Sequence, residues 1–501
     1  MPDTATPPSS DSAATHPVSL ADQQLPHDNP HHTRRWTILA VIGVAQLMVV
    51  LDATIVNIAL PSAQADLGFS DASRQWVVTA YALAFGGLLL LGGRLSDLFG
   101  RKWTFIGGLV GFSLASALGG SADTFGLLVA SRALQGAFGA ILAPAALSLL
   151  ATIFTDGKER GTAFAIFGAI SGGGAAVGLL LGGVLTQYLS WRWCLYVNLL
   201  FALPAAVAGL FLLHNVRSAV HAFLDIPGTI LASAGLITLV YGFAKAESDG
   251  WGATVTLCFL GASIVLLGLF VFWMTRAKHP LLPLRVVLDR NRGGSYLTIL
   301  LAGLGIFGVF LFLTYYMQQN LGFSPIRTGF AFVPMPVSIV TASIVAQTRL
   351  LPRVGPRPLV VFGMLMGVLG MSYLAQLDPT SGYWVDVLPA LVILGIAFGN
   401  IFATAINTAT LGVLAEDSGV ASALVNTCQQ VGGAAGTALL STIALTATKN
   451  FVGGKSAAEV HGYTVAFWFS AAIFLVGAIV AGLLLRPGRI DPQNGGAVGA
   501  H

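Results

Sequence analysis

The chain has 501 residues, of which 9% are charged and 55% are hydrophobic, whereas soluble proteins average about 25% charged residues. A water-soluble fold could not bury this much apolar surface, so the composition excludes a soluble globular protein and predicts one embedded in a lipid bilayer. Glycine occurs 60 times, which suits helices that pack closely in lipid. The formal net charge of +4 is small, and we expect no nucleic-acid partner.

The N-terminal residues 1–35 are polar, and no apolar stretch near the start indicates a cleavable signal peptide. We predict a disordered cytoplasmic tail. A metal-binding tract is the weaker alternative, and it would use His16, His27, His31 and His32. The cysteines are too scattered for a disulfide framework, so we expect them to be packing residues; they are Cys194, Cys258 and Cys428.

Fourteen apolar stretches are long enough to cross the membrane, since about 20 residues in a helix span roughly 30 Å of hydrocarbon. The fold class predicted is therefore an all-α membrane protein. The predicted spans are 36–59, 76–93, 103–121, 125–153, 161–187, 193–213, 226–246, 252–274, 295–317, 328–347, 358–376, 387–414, 419–445 and 464–485.

The distribution of lysine and arginine over the loops predicts the orientation. With the N-terminus in the cytoplasm, eighteen of these residues fall on the inner side and six on the outer side, and Arg132 lies inside a span. This bias predicts a multi-pass protein of the inner (cell) membrane with both termini cytoplasmic.

The chain also repeats itself. The loop RLSDLFGRK (94–102) has a counterpart RLLPRVGPR (349–357) 255 residues later, and the run GGAA at 173–176 recurs at 432–435, at an offset of 259. Two parallel six-helix halves with two inserted helices would explain this pattern. The predicted division is a tail (1–35), an N-terminal half (36–217), two inserted helices with a cytoplasmic loop (218–285), a C-terminal half (286–486) and a second tail (487–501).

Several motifs together make the chain similar to the fourteen-span drug:proton antiporter family of the major facilitator superfamily. They are Leu51–Pro61 in the first span, Gly93–Lys102 in the following loop, Arg132–Gly136 with Gly139-Ala140 in the fourth span, and Trp191-Arg192-Trp193 with Asn198 at the sixth. The resemblance implies a transporter that exports small amphiphilic compounds such as drugs and antibiotics, and that uses the proton as coupling ion with no other cofactor. Nothing in the sequence argues for an obligate oligomer, so we expect a monomer.

The fifth span departs from the family pattern. The resemblance leads us to expect Gly-Pro before the last glycine pair, but Leu179 stands at the proline position. The motif is thought to favour export in related proteins, so the direction of transport is open on this ground. A ladder for helix packing remains, and it consists of Gly174, Gly178, Gly182 and Gly183.

Charged residues inside a span are rare because each costs about 2.5–3.5 kcal/mol to insert. Asp52 and Arg132 both lie roughly 10–12 Å below the outer ends of their spans at 1.5 Å per residue. We predict an interacting pair in which Asp52 is alternately protonated and ionised. The alternative is a permanent structural salt bridge.

The 94–102 loop predicts a conformational gate. By resemblance, Asp97 would contact a helix N-terminus or an arginine of the other half, which would close the cytoplasmic side. The alternative is that the basic residues of this loop only set the membrane topology. The predicted gate residues are Gly93, Asp97, Gly100, Arg101 and Lys102.

Polar or aromatic residues inside the spans are candidates for substrate binding, although each could instead be an interhelical hydrogen bond. They are Gln135, Tyr315, Tyr316, Gln318, Asn400, Asn407, Asn426 and Gln430. Spans 9 to 14 carry no internal carboxylate, which favours neutral, zwitterionic or weakly charged lipophilic substrates. A proton symporter or facilitator for uptake and a non-transporting sensor remain as alternatives. The spans hold no clustered catalytic side chains, so we do not predict an enzyme.

Overall fold

The computed structural model describes residues 34–69, 71–214 and 225–488, and every regular element in these ranges is helical. The four tail histidines and most of both predicted tails lie outside the described residues. The α-helices are α1 (Arg35–Leu67), α2 (Asp71–Phe99), α3 (Arg101–Gly120), α4 (Phe125–Ile153), α5 (Gly157–Tyr188), α6 (Trp193–Leu212), α7 (Ile226–Asp249), α8 (Thr254–Met274), α9 (Leu284–Leu288), α10 (Arg290–Tyr315), α11 (Pro325–Phe332), α12 (Pro334–Val345), α13 (Leu351–Val354), α14 (Pro356–Leu374), α15 (Leu388–Thr410), α16 (Ser418–Asn450) and α17 (Lys455–Leu484).

All fourteen predicted spans coincide with helices. Within the described ranges, thirteen helical segments are long and apolar enough to cross a membrane, and the predicted fifth span coincides with α5, a continuous helix of 32 residues. The predicted tenth span is built from α11 and α12, and a π turn (Ala346–Leu350) continues it. Several helices extend beyond the predicted limits. For example, α1 ends at Leu67 and α16 ends at Asn450.

The packing repeats between the two halves. Helix α1 packs on α5 and α3 on α6, while in the second half α10 packs on α16 and α14 on α17. The turn that follows the second helix of each half has a glycine with positive φ, which other residues rarely adopt: Gly100 (φ 88°) and Gly355 (φ 79°), 255 residues apart. The halves meet along two seams, α2 with α16 and α5 with α12.

The α2–α16 seam brings two backbones into contact at a pair of glycines. A Cβ atom on Gly93 would lie 2.6 Å from the carbonyl oxygen of Gly419, and one on Gly419 would lie 2.3 Å from that of Gly93. Real Cβ atoms do not come this close to backbone atoms. Glycine at both positions is therefore what lets the two halves close at this point.

The inserted helix α7 packs on both α2 and α16 and so covers their seam. Ile237 of α7 fills the space above Gly87 of α2, and the Trp251 indole donates a 3.1 Å hydrogen bond to Thr442 of α16. Asp225 begins the hairpin and is buried. Its carboxylate accepts hydrogen bonds from the backbone N–H groups of residues 228 and 281 and from the indole of Trp273.

The duplicated glycine run offers a test of the helix packing. A Cβ on Gly432 would lie 2.3 Å from the carbonyl oxygen of Leu300, whereas one on the adjacent Gly433 would meet nothing within 4 Å. We expect Gly432→Ala to lower stability by about 1–3 kcal/mol through overpacking. Gly433→Ala should leave stability unchanged or raise it, because alanine favours helix by up to about 1 kcal/mol. Thermal unfolding in detergent measures both, and equal melting temperatures would contradict the packing described here.

Candidate functional site

A fully buried ion pair lies inside the N-terminal half. Nη1 of Arg132 on α4 is 2.6 Å from Oδ2 of Asp52 on α1, and both residues are at most 1% exposed. The guanidinium also donates from Nε to the carbonyl oxygen of Val77 at 3.2 Å, and it lies 4.5 Å from the ring centre of Tyr81. The two charges that the sequence analysis singled out are therefore in direct contact.

Uncharged side chains complete the coordination of the carboxylate. Gln135 and Asn198 donate to Oδ1 of Asp52 at 3.0 and 2.7 Å, and both also donate to the hydroxyl of Ser116. All of these side chains are fully buried. Asn198 appeared in the sequence only as part of a motif, and Ser116 was missed. A polar, uncharged residue in a span is too common to mark a site by itself.

Two buried polar atoms beside the cluster have no hydrogen-bond partner within the described part of the chain: Oδ1 of Asn198 and the hydroxyl of Tyr81. Buried polar groups are usually paired, so such atoms call for a physical explanation. Both atoms lie within a few side chains of the carboxylate and are available for a further hydrogen bond. A neutral Asp52 carries a proton that needs an acceptor, and the amide oxygen of Asn198 is one available acceptor.

The glycine ladder of α5 packs directly against the stretch of α1 that carries Asp52. Cβ atoms on Gly174, Gly178 and Gly182 would meet Val50, Thr54 and Ile55 at 2.0–2.9 Å. Gly183 instead faces Ile326 of the other half, at 4.0 Å. The close packing expected from the ladder is present, whereas the side chain of Leu179 lies outside the described residues.

Polar contacts between the halves gather at the end of the bundle that holds residues 94–102 and 349–357, here called the basic end. At the α2–α16 seam, Oδ1 of Asp97 accepts a 3.1 Å hydrogen bond from the backbone N–H of Gly419, in the first turn of α16. Arg101 donates to the hydroxyls of Ser148 and Ser418, which are themselves 2.9 Å apart. An acid at a helix N-terminus is stabilised by about 0.3–1 kcal/mol.

The α5–α15 contact at the same end uses different residues. Arg160 at the start of α5 donates to Oδ1 of Asn407 and to the hydroxyl of Thr410, both at 2.9 Å. Asn407 in turn donates to Oε1 of Gln347 at 2.9 Å. Arg160 also lies 4.4 Å from the ring centre of Phe164. This network was not predicted, because Arg160 reads in the sequence as one more topology-setting cation.

Two predicted gate residues act within their own half. Lys102 donates to the carbonyl oxygen of Leu210 on α6, so it does not bridge the halves. Gly100 provides the positive-φ turn between α2 and α3. Gly93, Asp97 and Arg101 are the ones that the structure brings to the seam.

The predicted substrate-binding residues do not form one cavity. Gln135 belongs to the Asp52 cluster and Asn407 to the Arg160 network. Asn400 packs against Gly363 of α14, and its Nδ2 donates to its own helix. Tyr316 was expected inside the ninth span, but its hydroxyl donates to the carbonyl oxygens of two loop residues at positions 378 and 381.

The remaining candidates are less enclosed. Tyr315 is exposed, Gln318 and Gln430 are half-buried, and the buried Asn426 donates to its own helix. Gln430 on α16 belongs to neither the Asp52 cluster nor the Arg160 network. No cluster of metal ligands occurs among the described residues.

An ion pair that sequence reasoning missed lies at the opposite end of the N-terminal half. Asp66 beyond the span of α1 pairs with Arg192 at the start of α6 and accepts a 3.0 Å hydrogen bond from the Trp191 indole. These two donors hold the pKa of Asp66 below its usual range. A small apolar pocket extends from Trp191 to Arg132.

Comparisons with known proteins agree on a family. Residues 42–437 match the family described as Major Facilitator Superfamily. The chain is 50% identical over 461 residues to the puromycin resistance protein pur8 of Streptomyces alboniger, covering 90% of this chain and 92% of that protein. It is 38% identical over 461 residues to the cephamycin export protein CmcT of Amycolatopsis lactamdurans, covering 91% and 94%.

The fold also matches a solved structure of a transporter. The human organic anion transporter MFSD10 (TETRAN) superposes with a TM-score of 0.61 at 16% identity, over 89% of this chain and 99% of that chain. This likeness supports the fold alone. With the family match over most of its length, this multi-pass membrane transporter belongs to the major facilitator superfamily.

Proposed function

We propose that the protein exports antibiotics or related small amphiphiles in exchange for protons, by alternating access between the two halves. The observation that carries the proposal is the Asp52–Arg132 pair, a proton-binding group held without water contact inside one half. An ionisable residue in a membrane span is a functional candidate by default, because an idle charge there would be costly.

The geometry supports a coupling step at this pair. Protonation of Asp52 would remove the negative partner of Arg132 and leave a buried cation to be satisfied by Val77, Gln135 and Tyr81. Since an unpaired buried charge is strongly destabilising, the helices that carry it are driven to rearrange. This links the protonation state of Asp52 to the relative position of α1 and α4.

The relatives support export of antibiotics. The two proteins compared above have names that describe puromycin resistance and cephamycin export, and a third, 32% identical over 461 residues, is the lincomycin resistance protein of Streptomyces lincolnensis. Puromycin is therefore the first probe compound. The energetics permit the exchange, because one proton crossing about 100 mV supplies about 2.3 kcal/mol, enough for roughly a fiftyfold gradient at about 1.4 kcal/mol per decade.

The polar contacts at the basic end support a state closed on the predicted cytoplasmic side. Asp97, Arg101 and Arg160 each bond across to the C-terminal half there. In the proposed cycle these contacts form when substrate is released outside, and they break when substrate enters from the cytoplasm. The same proposal locates the protein in the cell membrane with both termini in the cytoplasm.

Replacing Asp52 should uncouple transport from proton movement. In proteoliposomes with a luminal pH dye, puromycin added to wild type should cause proton counterflow, whose sign distinguishes antiport from symport. Asp52→Asn should abolish this pH change, since the amide cannot bind and release a proton. The control Asp249→Asn removes an exposed acid that pairs with Lys245 and should keep wild-type coupling. Unchanged proton flow in Asp52→Asn would refute the assigned role.

Separate variants test the ion pair as a unit. Arg132→Met should lower the free energy of unfolding by about 3–5 kcal/mol, because it leaves a buried carboxylate without its partner. Adding Asp52→Asn should recover a large part of that loss, because the remaining buried groups are neutral. Thermal unfolding in detergent gives the comparison, and additive losses in the double variant would show that the two residues do not depend on each other.

The seam can be tested through accessibility. In a background without the natural cysteines, Ala409→Cys places a thiol at a fully buried position near the Arg160 network. A membrane-impermeant maleimide should label it slowly from the basic end. Adding Gly419→Ala should accelerate labelling at least about tenfold, because the new methyl forces the α2–α16 contact apart. The control Gly261→Ala, whose Cβ meets open space, should not change the rate; equal labelling in both would contradict the gate.

A further inference from the structure

An apolar groove lies beside the second seam, between α1, α5 and α12. It is on the side of α5 away from the contact of Gly168 with α15, and its exposed side chains Ile166, Val340 and Ile344 place it on the membrane-facing surface. It has a volume of about 250 Å³, and its lining includes Leu47 of α1, Ile166 and Gly173 of α5, and Pro336, Val340 and Ile344 of α12. Almost all of the surface that lines it is apolar. Gly173 contributes no side chain, and its backbone approaches Pro336 closely, which leaves the groove open beside them.

The two seams differ in what covers them. The α2–α16 seam is covered by α7, whose Ile237 and Val240 pack onto the glycines of α2. Helices α5 and α12 are the repeat counterparts of α16 and α2, so the α5–α12 seam is the equivalent place in the duplicated plan. In the described part of the chain, no inserted helix packs there. The groove therefore lies at the α5–α12 seam in the position that corresponds to the one covered by α7 at the α2–α16 seam.

The chemistry of the groove fits a hydrocarbon chain better than a drug. Pockets that enclose drug-sized ligands place a few polar groups for orientation, whereas the lining of this groove is almost entirely apolar. In a protein surrounded by lipid, an apolar groove between membrane-spanning helices is in contact with acyl chains.

A cationic side chain lies at the basic end of the same face of α12. Pro336, Val340 and Ile344 follow one another at four-residue spacing along α12, and the π turn (Ala346–Leu350) adds a residue. Since a π turn pairs residues five apart, Arg349 follows Ile344 on this face, and Arg349 is exposed. Basic residues at the cytoplasmic ends of membrane helices attract anionic headgroups.

We propose that this groove is a binding site for one anionic glycerophospholipid, with an acyl chain between α5 and α12 and the phosphate at Arg349. The lipid covers the α5–α12 seam as α7 covers the α2–α16 seam. It is a structural ligand of the membrane-facing surface and is independent of the compound that the protein transports.

Native mass spectrometry of the full-length protein tests the site. The protein is titrated in detergent with phosphatidylglycerol and, separately, with phosphatidylcholine of the same acyl chains. Wild type should retain one phosphatidylglycerol preferentially. Val340→Trp fills the groove and should reduce retention of both lipids at least about fivefold. Its matched control is Val337→Trp, an exposed valine of the same helix that does not line the groove.

The headgroup contact has its own variant. Arg349→Gln should remove the preference for phosphatidylglycerol, a loss of about fivefold for one cation at the membrane surface, and leave phosphatidylcholine retention unchanged. Arg276→Gln, at the end of the distant α8, should keep the preference. The proposal is overturned if Val340→Trp and Val337→Trp retain lipid equally, if wild type binds both lipids equally, or if a dimer mass that Val340→Trp abolishes shows a second copy in the groove.

Discussion

The proposed transport cycle depends on one ion pair that has been removed from water. Asp52 and Arg132 are in contact at 2.6 Å, and the guanidinium has further partners in Val77 and Gln135. Removing two charges from water costs several kcal/mol for each ion, and their attraction repays this cost only when the geometry is good and the remaining donors are paired. The uncharged donors around the carboxylate, Gln135 and Asn198, are therefore part of what makes the pair tolerable. They also mean that neutralising Asp52 disturbs several hydrogen bonds at once.

The path from this pair to the seams is short because α5 contacts both. On one side, Gly178 packs against Thr54, two residues beyond Asp52 along α1. On the other side, Gly168 lies against Ala403 of α15 and Gly173 against Pro336 of α12. A tilt of α1 that follows protonation would be passed to a helix whose glycines bring its backbone directly against residues of α1, α12 and α15. Tight helix contacts favour a change between two packings over a gradual deformation.

The fold was predictable because it follows from hydropathy and repetition, both of which can be read from one sequence. The charged pair was predictable for a related reason, since charges inside spans are few and Asp52 and Arg132 lie at similar depths. The helix face on which a neutral polar residue lies was not predictable. Asn407 was expected to bind substrate but bonds to Arg160, and Asn400 turns towards α14. Span limits alone do not fix rotation about a helix axis, and an error of one or two residues moves a side chain to another neighbour.

The duplication preserves positions while the chemistry at those positions diverges. Ser148 and Asn407 are 259 residues apart, and so are Arg160 and Gly419, the same offset that relates the glycine runs. Both pairs lie at the basic end, where the start of α16 meets α2 and α4, and the start of α5 meets α15 and the π turn that follows α12. One contact relies on a carboxylate at a helix N-terminus, which a proton can neutralise. The other relies on a guanidinium, which keeps its charge in proteins. The symmetric architecture therefore closes the same end with two unlike contacts, and only the α2–α16 contact can respond directly to protonation.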